Sequence, residues 1–209
     1  MEQTLNRPKR KPRHWRSRIV LVVGYVLAAV ALAWFFQERP NTTIIFVRHA
    51  DVDADTADPD PSLNARGRQR AELLADFLQD VDVVRGVDNI YAAADKRTQE
   101  TAAPLAKRLG LKPHIDDPHR TERLIHRIKR DRNGEIVLVV SYADTIAPLI
   151  AELHGSKKVP PIAGDDYNEV YIVTVPNFGK VKTLRLHYPE PPTEAELTNA
   201  DSSELSGAR

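Results

Sequence analysis

Thr43-Ile44-Ile45-Phe46-Val47, running on into Arg48-His49-Ala50, is the stretch on which the fold turns. A short, unbroken apolar run rich in β-branched residues suits a strand buried on both faces, as in a parallel sheet with helices on either side. Outward from it the period changes. Ala71, Leu74, Ala75 and Leu78 recur at i, i+3, i+4 and i+7, the stripe of an amphipathic helix. The same spacing returns at Ala102, Leu105, Ala106 and Leu109 and at Ile146, Leu149, Ile150 and Leu153, with a weaker stripe at Leu124, Ile125 and Ile128. Strands are expected between them at Asn89–Ala92 and at Ile136–Val140, the latter launched by a turn at Asn133-Gly134. Val170–Val175 and Val181–Leu186 flank Pro176-Asn177-Phe178-Gly179 and read as a hairpin. The alternation predicts an α/β fold: a three-layer sandwich with a mostly parallel central sheet and a C-terminal hairpin.

The chain has 209 residues, 42% of them hydrophobic and 28% charged, which excludes a wholly disordered protein. With no Cys there is no thiol nucleophile, thiolate metal site or disulfide staple. The net charge of +1 hides a split: residues 1–18 carry seven basic side chains and one acid, net +6, leaving −5 for the rest.

That split has a local cause. Ile19–Phe36 contains no charge, and as a helix it would be ~27 Å long, close to the ~30 Å hydrocarbon core of a bilayer. Arg7, Lys9, Arg10, Lys11, Arg13, Arg16 and Arg18 precede it, and positive charge flanking a span stays on the cytoplasmic side. Trp15 and Trp34 fall near its two ends, where indole rings favour the interfaces. The sequence therefore predicts one transmembrane anchor at 19–36, a cytoplasmic basic segment at 1–18, and an extracytoplasmic domain of bacterial type. Ala31-Leu32-Ala33 has the small-x-small form of a signal-peptide cleavage site. Cleavage there would leave Trp34-Phe35-Phe36 as an apolar end, so an uncleaved anchor is preferred. The basic run is read as setting orientation rather than binding nucleic acid. Residues 37–41 form a short link, 42–188 one globular domain, and 189–209, with five acids and one base, an acidic tail expected to be disordered.

In sheets of this kind ligands gather at the carboxyl ends of strands. Strand one ends in Arg48-His49-Ala50, and Arg97 falls at a helix start, where free N–H groups favour an anion. Three segments together resemble the histidine phosphatase superfamily, also called phosphoglycerate mutase-like, and within it the short branch containing small phosphohistidine phosphatases. They are Thr43–Ala50 (TIIFVRHA), Asp60–Gly67 (DPSLNARG) and Ile90–Ala102 (IYAAADKRTQETA). The second is similar to the family's PLTxxG segment, with Asn64 where Thr is usual, and the third to IYSSPLKRTxxTA. Asp165–Val175 is similar to the family's last sheet region.

The resemblance implies that His49 attacks phosphorus in line, forming a phosphohistidine that water hydrolyses. Arg48 and Arg97 would clamp the phosphoryl oxygens through charge-assisted hydrogen bonds. No cofactor or metal is implied. The substrate would be a phosphorylated small molecule or a phosphoprotein. Hydrolysis is preferred to mutase chemistry because no cap that would exclude water is evident.

One segment departs from the pattern. The family carries a second His after a later strand, in a Gly-His-Ser-Asn-Thr-like segment; here the residues are Ser141-Tyr142-Ala143-Asp144-Thr145. Tyr142 takes the place of that His and Asp144 that of the Asn, so Ser141 and Tyr142 become the expected substrate contacts. Asp144 is read as a cap for a helix beginning near Thr145. No nearby His is expected to compensate: His154 lies at the far end of the following helix, His126 within the weak stripe, and His114 and His119 before it. Losing one preorganised donor from such a site costs ~3–4 kcal/mol. Two functions follow: a phosphatase of weak or altered activity, or an impaired relative that binds a phosphorylated ligand without turnover. By position, Asp51, Asp53, Asp116 and Asp117 are the candidates for general acid.

Overall fold

The computed structural model describes residues 14–37, 41–53, 57–79, 86–156, 158–164 and 166–192. Most of the basic N-terminal segment, the centre of the link and the tail beyond 192 lie outside these. The chain divides into two compact units, Met1–Arg39 and Pro40–Arg209.

The first unit contains a helix, α1 (His14–Gln37). Its window Ser17–Trp34 is long and apolar enough to cross a membrane and has none of its surface buried. Leu21, Tyr25 and Trp34 are 73%, 77% and 65% exposed. A helix apolar all round is of the kind that spans a membrane, and a signal sequence has the same length and composition.

The second unit contains a six-stranded sheet in the order β3-β2-β4-β1-β5-β6. The strands are β1 (Thr42–Arg48), β2 (Asn89–Ala92), β3 (His114–Ile115), β4 (Ile136–Ser141), β5 (Glu169–Val175) and β6 (Lys182–His187). β1 to β4 pair in parallel, and β5 joins β1 antiparallel before turning into β6. Between them run α2 (Ala65–Gln79), α3 (Lys96–Leu109), α4 (Thr121–Asp131) and α5 (Ala143–Glu152).

The unbroken apolar run of β1 follows from helices on both faces. Ile45 and Val47 pack with Leu74, Leu78, Leu105 and Leu138 under α2 and α3. Ile44 and Phe46 pack with Ile125, Ile128, Leu149 and Tyr171 under α4 and α5. Each large aliphatic side chain buried this way contributes about 1.5–3 kcal/mol. The expected three layers and closing hairpin are present. β3, a two-residue edge strand with both residues exposed, is an addition to the sequence reading.

Gly67 explains the DPSLNARG segment. A Cβ there would lie 2.1 Å from the Asp51 carbonyl oxygen, so α2 can approach the loop after β1 only through a glycine. Asn64 Oδ1 accepts the Gly67 N–H (2.7 Å), capping α2, and the Asn64 N–H donates to the Asp51 carbonyl (3.1 Å). α5 begins at Ala143 with Tyr142 as its N-cap residue. Asp144 therefore lies inside the first turn of α5 instead of capping it.

Candidate active site

The carboxyl ends of β1, β2 and β4 deliver three segments to one edge of the sheet. His49 follows β1, and its N–H donates to the Ser141 carbonyl at the end of β4 (2.9 Å). The side chain is 6% exposed. Its Nδ1 lies 2.8 Å from the Ala50 carbonyl oxygen, an acceptor only, so Nδ1 carries the proton and Nε2 keeps its lone pair. Burial lowers the imidazole's pKa from 6.5, and the Arg97 and Arg48 charges act the same way, against the Ala50 hydrogen bond and Asp95. The product is a neutral imidazole with one free basic nitrogen.

Arg97 sits in the first turn of α3, held to His49's loop by one hydroxyl. Thr101 Oγ1 donates to the Arg97 carbonyl (2.6 Å) and accepts the Ala50 N–H (2.9 Å). His49, Arg97, His119, Tyr142 and Asp144 line one open cleft of about 360 Å³. A groove of about 640 Å³ between α2 and α3 is larger but holds no imidazole, so chemistry rather than size places the site.

Arg48 serves a different neighbourhood from Arg97. Its NH1 donates to the carbonyls of Ala163 (2.9 Å) and Asp166 (3.0 Å), and its guanidinium lies 3.9 Å over the Tyr167 ring. Tyr167 in turn meets His49 edge-on at 6.1 Å. Among the described residues, Arg48 Nε is buried with no hydrogen-bond partner. One part of this side chain is thus structural, while its Nε–H stays unsatisfied.

The other expected site residues separate. Ser141 is fully buried and its hydroxyl pairs with Thr145 Oγ1 (2.6 Å), so it does not reach the cleft. Asp51 pairs with the buried Arg70 (2.6 Å) beneath the His49 loop. Asp116 pairs with Arg127 (2.6 Å). Asp117 accepts the His119 N–H (3.0 Å) and lies 3.5 Å from Arg120. None of these three carboxylates lines the cleft, and Asp53 is an exposed loop residue.

Two groups that the sequence did not single out are present instead. Asp95, at the N-cap of α3, accepts Arg97 Nε (2.5 Å) and the Thr98 hydroxyl (2.7 Å). Burial alone would raise its pKa, but the hydrogen bonds from Thr98 and Arg97, Arg97's charge and Tyr142 hold it below 3.8. Tyr142 is pushed up to about 12 by burial and by the charge of Asp95, to which its hydroxyl donates. The second group is His119, whose ring stacks on Tyr142 at 5.2 Å and 21°.

One cluster of metal-ligating type exists among the described residues, Asp166, Glu169 and His187. Glu169 already accepts from Tyr171 (2.5 Å) and pairs with Arg185 (3.1 Å), which leaves little charge for a cation.

A buried imidazole after the first strand, lining one cleft with an arginine at the start of the helix after the second, is the arrangement that the sequence resemblance implies. Residues 44–118 match the profile of the histidine phosphatase superfamily (branch 1). That match covers part of the chain and marks a similarity to this superfamily. The chain is 40% identical over 81 residues to the PE-PGRS family protein PE_PGRS11 of Mycobacterium tuberculosis, covering 36% of this chain but only 13% of that protein's length. It is 26% identical over 164 residues to the Schizosaccharomyces pombe protein named "Probable phosphatase C1687.21", covering 70% of this chain and 73% of that one. Among solved structures, the protein histidine phosphatase SixA complexed with tungstate aligns with a TM-score of 0.56 at 18% identity, covering 69% of this chain and 96% of SixA. Mycobacterial glucosyl-3-phosphoglycerate phosphatase Rv2419c aligns at 0.55 and 16%, covering 72% of this chain and all of that one. At such identities the two structures establish that this domain shares their fold.

Proposed function

We propose that the protein is a membrane-anchored phosphatase that hydrolyses phosphomonoesters or phosphorylated residues through a phosphohistidine at His49. One observation carries this reading: the Ala50 carbonyl fixes the His49 proton on Nδ1, leaving Nε2 free in the cleft that Arg97 lines. A neutral nucleophile needs no prior deprotonation, and phosphoryl transfer depends mostly on positioning and on charge around the transferring group. Arg97 and the buried Nε of Arg48 supply that charge. The apolar helix α1 supports anchoring, with the N-terminus inside and the catalytic unit outside. The test is phosphate release from 4-nitrophenyl phosphate by the full chain in detergent. His49→Ala is expected to abolish it; equal release by both proteins rejects the reading.

The Asp95–Arg97 ion pair favours a second reading, binding without turnover. A carboxylate 2.5 Å from the clamp arginine competes with an incoming dianion. Tyr142, in the position of the family's second His, offers a neutral phenol committed to the same carboxylate.

A further inference from the structure

Transfer of a phosphoryl group to His49 leaves an electron pair on the departing oxygen, and unless the leaving group is unusually acidic that oxygen needs a proton. The groups already assigned do not provide one. The arginines remain protonated throughout. Asp95 is held ionised by Thr98, Arg97 and Tyr142, and the Tyr142 proton is committed to Asp95. Asp51, Asp116 and Asp117 are engaged outside the cleft.

His119 lies in the cleft and is built into place. Its ring stacks on Tyr142, which also meets His49 edge-on at 6.2 Å, so one phenol ring contacts both imidazoles. Its loop is fixed to the sheet by the Asp116 N–H donating to the Ala92 carbonyl (3.0 Å), by the buried Pro118, and by Asp117 accepting the His119 N–H. An imidazole is a side chain that can both give and take a proton in turn.

We propose that His119 is the proton donor to the leaving group, and the proton acceptor from water in the second half-reaction. The proposal rests on the phosphohistidine reading above. In the first half, the His49 Nε2 lone pair forms the N–P bond as the P–O ester bond breaks. The electron pair of that bond stays on the ester oxygen, which takes the His119 proton and departs as the alcohol. In the second half, water attacks phosphorus and gives a proton to neutral His119. The N–P bond breaks, its pair returns to Nε2, phosphate leaves, and His119 is protonated again.

The charged and titratable groups facing His119 are Tyr142 and Asp144 from α5, Arg97 from α3, His49 after β1, and Asp117 and Arg120 on either side of it. The experiment compares phenyl phosphate with 4-nitrophenyl phosphate, whose leaving group needs no proton, using the full chain in detergent. His119→Asn is expected to lose about 100-fold in kcat/KM on phenyl phosphate and markedly less on 4-nitrophenyl phosphate. It should also lose the alkaline limb of the phenyl phosphate pH profile. His126→Asn, on α4 outside the cleft, should change neither. Equal losses on both esters, no loss on either, or the same selective loss in Asp144→Asn instead overturns the proposal. His49→Ala keeps the two readings apart. If it is dead while His119→Asn shows no leaving-group dependence, only the role of His119 falls; if it retains wild-type release, or if the wild type cleaves neither ester, both fall.

Discussion

At the residue scale the site is a balance of charge around one imidazole. His49 has a pKa below 6.5, chiefly because it is buried, so the folded state favours its neutral form. The unfolded chain then binds more protons as pH falls below 6.5, and stability falls with it. The contribution is present above 6.5 and disappears as pH drops through the depressed value. The melting temperature of His49→Gln should therefore decline less steeply than that of the wild type as pH is lowered from 6.5, as thermal unfolding will measure. Asp95 works in the opposite sense. It offsets the Arg97 charge at the place where a phosphate dianion would sit, and a unit charge a few ångströms away at the effective permittivity of a protein surface matters by ~1–4 kcal/mol. Asp95→Asn keeps the Thr98 and Tyr142 partners but removes the charge, and should tighten inorganic phosphate binding at least roughly tenfold by calorimetry. A rise in affinity together with a rise in turnover would show that the ion pair restrains an active site; a rise in affinity alone would favour the binding reading.

At the scale of elements, the approach of α2 to the loop after β1 decides whether His49 is presented. Gly67→Ala would drive a methyl group into the Asp51 carbonyl, a backbone atom that yields only if the loop moves. Overpacking of this kind costs about 1–3 kcal/mol, so a lowered melting temperature and weakened phosphate binding are expected together. The sequence exposed such features unevenly. β1 and β4 were legible because burial on both faces demands continuous β-branched runs, and the helices because their stripes point into the core. β3 was not: two exposed edge residues carry no periodic signal. That omission hid His119, which follows β3 by four residues and is brought to the site by the same strand-end logic that singled out His49. Ser141 erred the other way. It lies at a strand end, but its hydroxyl is buried against the Thr145 hydroxyl, and strand-end position says nothing about which way a side chain faces. Asp95 was not legible in the sequence, because its contact with Tyr142 joins residues far apart in the chain.

At the scale of the molecule, an apolar helix and an enzyme-like unit share one chain. The intact protein should sediment with membranes and remain there through an alkaline carbonate wash, and its mass should include residues 1–33. A soluble product beginning at Trp34 would instead identify a cleaved signal sequence. Paired Val26→Arg and Leu27→Arg, at ~2.5–3.5 kcal/mol per central arginine, should reduce membrane retention. The sheet order has a further consequence for biosynthesis. β1, which leads into His49, is the first strand to be made, yet its neighbours β4 and β5 are among the last, and Arg48 reaches its backbone partners 115 and 118 residues downstream. A nascent chain emerging from the ribosome therefore carries His49 for most of its synthesis without the strands that bury it, and the cleft closes around that imidazole only near the end of translation.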